Sequence, residues 1–137
     1  MNMLRFALAA LAVFVFTFLF DFLVHGVLLQ QTYKDLASIW RPEAEMQSLM
    51  PLMTLVQALM ALVLAFIFTR NFEDKGIGEG ARYGFYMGVF LAVPQIGAYV
   101  FMPIPVSLAA AWAGQAIAWG LLAGIILSLI YKEKAST

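Results

Sequence analysis

Three residues at four-residue intervals, Thr17, Asp21 and His25, put a hydroxyl, a carboxylate and an imidazole into a run that is otherwise Leu, Val and Phe. At α-helical spacing they fall on one face as a polar stripe, with Thr32 two turns further on, and Asp21 and His25 stand close enough to touch. An acid beside an imidazole can share a proton, hold a ligand or metal, or simply brace a neighbouring helix through hydrogen bonds. The stripe alone leaves all three readings open.

Three glutamines extend the pattern. Gln57, Gln95 and Gln115 each stand alone in a later apolar run. If the runs cross a membrane in alternate directions, all three amides come to the height of Asp21 and His25. A polar side chain left unpartnered in hydrocarbon costs several kcal/mol, so the economical arrangement is one shared polar layer in the centre of a bundle. Tyr99 shares a helical face with Gln95, and Trp112 and Trp119 flank Gln115, where they either wall a pocket or fill the core. The candidate ligand or proton site is therefore Asp21 and His25 with Thr17, Gln57, Gln95, Gln115, Tyr99 and Trp112.

Soft metal chemistry is a second candidate at the same level. Met50, Met53 and Met102 lie near the outer surface close to His25, with Met46 on the same face, and thioethers beside an imidazole suit Cu(I). Haem would need a methionine or a second chain for its other axial position, because the chain has one histidine. Methionine is also ordinary filler in apolar interfaces. With no cysteine, disulfides, thiolate metal sites and a cysteine nucleophile are excluded. Beyond Asp21 and His25 no nucleophile, base and orienting group are spaced for catalysis, and zinc lacks ligands, so the chain is not expected to be an enzyme.

The elements that carry these residues are membrane spans. Of 137 residues, 64% are hydrophobic and 12% charged, and mean hydropathy is +0.89; a soluble domain is about 45–50% apolar. A carboxylate at the centre of a span costs about 2.5–3.5 kcal/mol on insertion scales, so Asp21 must face protein or water. The expected fold is all-α: one polytopic domain, a four-transmembrane-helix bundle with a short interfacial helix between spans one and two. The spans run from about 4 to 29, 49 to 69, 83 to 102 and 106 to 131. Arg5 followed by an apolar run resembles a secretory signal, but the run continues too far for one and reads as a retained first span.

Between the spans, 30–48 is an external segment with Tyr33 and Trp40 at headgroup depth. Pro42 breaks its helix; alternatively Pro42 starts the helix that becomes span two. Residues 70–82 are charged and contain Gly76, Gly78 and Gly80, which predicts a flexible cytoplasmic loop; no strand precedes it and no P-loop lysine follows, so phosphate binding is not indicated. Pro94 is expected to kink span three. Met102-Pro103-Ile104-Pro105 is a tight turn that makes spans three and four antiparallel neighbours. On span four, Ala109, Ala113, Ala116, Gly120, Gly124 and Ser128 form a small-residue strip for close helix contact, within the bundle or between copies.

Arg5, Arg70, Lys75, Arg82, Lys132 and Lys134 fall on one side of this topology and Lys34 and Arg41 on the other, which predicts cytoplasmic N- and C-termini in a plasma membrane, the inner one in a Gram-negative cell. Zero net charge gives no reason to expect nucleic acid as a partner. A long first span, the external stretch from Tyr33-Lys34 through Trp40-Arg41-Pro42, a glycine-containing loop and a Gly-rich second hairpin resemble small uncharacterised bacterial four-helix membrane families. That resemblance covers most of the chain and implies a fold but no activity. The functional expectation is binding or movement of a cation, proton or small polar ligand, reached from the outer side, in a homo-oligomer. The alternative is an accessory or assembly subunit of a larger membrane complex, docked through the span-four strip.

Overall fold

The computed structural model describes residues 1–132, and within them four long helices dominate. They are α1 (Met3–Asp21), continued by a π-helical turn (Phe22–Leu28), then α3 (Glu43–Arg70), α4 (Ile77–Phe101) and α5 (Val106–Ile130), with the short α2 (Gln30–Asp35) and a 3-10 turn (Ala37–Ile39) between the first two. Each long helix, counting α1 with its π extension, has 25 to 28 residues and is apolar enough to cross a membrane. At about 1.5 Å per residue that exceeds a hydrocarbon core of roughly 30 Å. The outward faces carry apolar side chains such as Phe90, Val100 and Phe101. The chain is an all-α, multi-pass four-helix membrane bundle.

Two close pairs build it. α1 meets α3 through small residues, with Ala9, Ala10 and Val13 buried against Ala61, Leu64 and Ala65, and Trp119, Ala123 and Leu127 of α5 complete that core. α4 lies antiparallel on α5 along glycines. A Cβ at Gly88 would come 2.8 Å from the Ala116 carbonyl oxygen, one at Gly124 would come 2.7 Å from the Gly84 Cα, and Gly80 faces Gly124 and Ser128. Backbones this close exclude any side chain larger than hydrogen. The small-residue strip of span four is thereby covered by α4 inside the same chain, and Gly120 and Gly124 are buried.

α3 and α4 are not a close pair. They meet towards the end of the bundle that holds the chain termini, where the Tyr83 hydroxyl donates to the Leu64 carbonyl at 2.7 Å and Phe68, Phe72, Tyr83 and Tyr131 stack as an aromatic plug. Further along they part. At the other end, Leu29, Tyr33, Leu36, Ile39 and Trp40 fold over Ile104, Leu108 and Ala109 at the start of α5.

Several boundaries differ from expectation. Span one is not a single α-helix: the Leu29 amide bonds to the Val24 carbonyl, five residues back, at 2.8 Å. The second helix begins at Glu43 rather than 49, so Pro42 does start it. Tyr33 and Trp40 are half-buried against the start of α5. The 70–82 loop shrinks to 71–76, because Gly78 and Gly80 belong to α4. Buried Glu79, in the first turn of α4, accepts the backbone N–H groups of Glu73 and Lys75, both at 2.8 Å, which fixes the loop. Asp74 and Gly76 take positive φ to make this turn. Glu133 and Lys134 lie outside the described residues.

Candidate functional site

Asp21 is the last residue of α1, at the level where the π turn begins. Its two carboxylate oxygens are taken by amides from two other helices: Gln57 Nε2 of α3 donates to Oδ2 at 2.8 Å and Gln115 Nε2 of α5 donates to Oδ1 at 2.9 Å. One turn below, Thr17 is buried, donates to the Val13 carbonyl at 2.8 Å and accepts from Trp119 Nε1 at 2.8 Å. Asp21 makes no ion pair among the described residues. Neutral amides fix the carboxylate in place without cancelling its charge.

His25 does not bond to Asp21 as the α-helical spacing predicts. The π turn takes more residues per revolution, which carries the imidazole away from the position above the acid. His25 Nδ1 instead lies 2.5 Å from the Tyr33 hydroxyl, and Trp112 Nε1 donates to that same hydroxyl at 2.8 Å. Indole N–H can only donate, so the phenol oxygen accepts from Trp112. The direction of the bond to His25 follows the tautomer: with the ring proton on Nε2, Nδ1 accepts from the phenol, and with it on Nδ1 the phenol oxygen accepts. Gln115 of α5 bonds to Asp21 and lines the same cavity as His25. Burial raises the Tyr33 phenol above its ordinary value; the Trp112 donor opposes this and the Asp21 charge adds to it.

These groups face a cavity of about 530 Å³, within the range of small-molecule pockets. Its lining follows helical periodicity: Thr17, Asp21 and His25; then Met46, Met53, Gln57 and Met60 with Val56; then Leu91 and Gln95; then Trp112, Gln115, Ala116 and Trp119. Tyr33 and Trp40 line it at the end away from the termini. Each of the four long helices contributes a polar residue to a lining that is otherwise largely apolar.

Of the residues singled out in the sequence, Thr17, Asp21, His25, Gln57, Gln115 and Trp112 come together. Gln95 reaches the cavity from α4, but no hydrogen bond ties it to Asp21. Tyr99 is 50% exposed on the outer face of α4 and is not part of the lining. The methionine set also fails to assemble: Met53 lines the cavity, whereas Met50 faces outward and Met102 packs beside the start of α5. Among the described residues no three His, Asp or Glu side chains are placed to hold a metal.

Sequence reasoning missed Tyr33 and Trp40 as cavity residues. Their spacing of seven, two helical turns, put them on one face, but nothing in it said that the face would fold onto α5. No family model, curated protein or solved structure matches this chain.

Proposed function

We propose that the chain binds or moves a cation, proton or small polar ligand at Asp21, in the outer half of a plasma membrane, with both termini cytoplasmic. The observation that carries this reading is the Asp21 carboxylate, gripped by Gln57 and Gln115, facing a cavity with no basic side chain paired to it. Two neutral amides bring no compensating charge, and in surroundings of low dielectric a carboxylate without a cationic partner attracts a cation strongly. His25, Tyr33 and Trp112 form a second polar edge that can orient a bound group. The accessory-subunit reading rested on a span-four strip that α4 already covers.

Native mass spectrometry of the gently solubilised protein tests the proposal. A bound mass present in wild type and absent from folded Asp21→Asn is the expected outcome; bare protein in both defeats the binding reading.

A further inference from the structure

We infer that the ligand is a hydrophobic monovalent organic cation, of the quaternary ammonium or phosphonium type, that enters from the bilayer through the opening between α3 and α4. This rests on the reading of Asp21 as a cation site and narrows it. Three features of the cavity choose the class. Hard metal ions require six or more oxygen ligands or a compact octahedron, whereas here the one carboxylate is already engaged by two amides and, among the described residues, no second carboxylate lines the cavity. A cation that brings its own apolar surface has no such requirement.

The aromatic rings supply the second feature. Tyr33 and Trp40 stand edge to face with centroids 5.6 Å apart, and Trp40 and Trp112 are 6.3 Å apart at 56°. All three rings line the cavity, and aromatic rings attract weakly hydrated cations that approach their faces. The third feature is the route. Met53, Val56 and Met60 on α3 line the cavity and are still 37–47% exposed, and α3 and α4 are not packed on each other along this stretch. The plug around Phe68 fills the end that holds the termini, and at the other end Tyr33 and Trp40 pack on the start of α5 while Met46, in the first turn of α3, lines the cavity and is 37% exposed. The exposed lining along α3 from Met53 to Met60 is apolar, a doorway that suits an ion dissolved in the bilayer.

Radiolabelled tetraphenylphosphonium, with tetraphenylborate as an anion of matching size and thallous ion as a small inorganic cation, tests this by equilibrium dialysis of the purified protein in nanodiscs. Saturable tetraphenylphosphonium binding is expected, with no competition by tetraphenylborate and affinity lowered about tenfold or more in Asp21→Asn. Val56→Trp, at a position that lines the cavity and belongs to neither core cluster, is expected to abolish it and decides the matter if Asp21→Asn does not fold. Binding equal in wild type and both variants, or shared by the borate, is partition into lipid and overturns the inference. Asp21-dependent binding of thallous ion without tetraphenylphosphonium binding overturns the organic cation and keeps the cation site. No Asp21-dependent binding of either cation overturns both.

Discussion

At the scale of single residues, Tyr33 connects the most. Its hydroxyl serves His25 and Trp112 together and so joins the connection after span one to α5. Tyr33→Phe removes both bonds and leaves the Trp112 N–H without its acceptor, at an expected cost of about 1–3 kcal/mol, read from denaturant unfolding in detergent. The pH dependence has a definite sign. A phenol whose folded pKa is raised contributes stability that is fully present below the unfolded value of about 10 and is lost as pH rises through the folded one. Wild type should therefore lose more stability than Tyr33→Phe on passing above about pH 10; parallel losses would show that this phenol is not the group responsible. Glu73, held below the ordinary carboxylate range by Lys75 and Arg82, is solvent-exposed, and its ion pairs contribute little.

At the scale of elements, the α4–α5 glycine contact is the least forgiving feature. Gly84 has backbone of Gly120 and Gly124 where a side chain would go, and backbone cannot swing aside. Gly84→Leu should destabilise the protein by at least about 1–3 kcal/mol. Gly97→Ala, on the same helix with open space around it, should leave stability unchanged or raise it by up to about 1 kcal/mol. Similar melting temperatures for the two variants would argue against the observed packing.

The same elements explain what the sequence made legible. Long apolar runs and isolated polar residues were enough to find the spans and to bring Asp21, Gln57 and Gln115 to one height. The π turn was not legible, because Phe22–Leu28 reads the same in α or π winding. Nor was the Glu79 cap, which depends on the backbone turn at Asp74 and Gly76. Tyr99 was misplaced for a geometric reason. A four-residue step overshoots the 3.6-residue turn, so the face that carries Leu91 and Gln95 into the cavity has rotated outward by Tyr99.

At the scale of the molecule, the basic residues divide unevenly between the two ends of the bundle, and the chain has no cysteine to interfere with a labelling test. In right-side-out vesicles an impermeant maleimide should label Ser38→Cys and spare Asp74→Cys, as cytoplasmic termini require; the opposite pattern would invert the protein. The bundle itself is asymmetric. Besides its two close pairs, α1 packs on α5 while α3 and α4 stay apart, and all three tryptophans of the chain, Trp40, Trp112 and Trp119, line the cavity. Indole emission from this protein therefore originates at one place. Its colour and lifetime report the polarity and occupancy of that chamber alone, with no background from the rest of the chain, so the unmodified protein carries its own optical gauge of whether the chamber is wet, dry or filled.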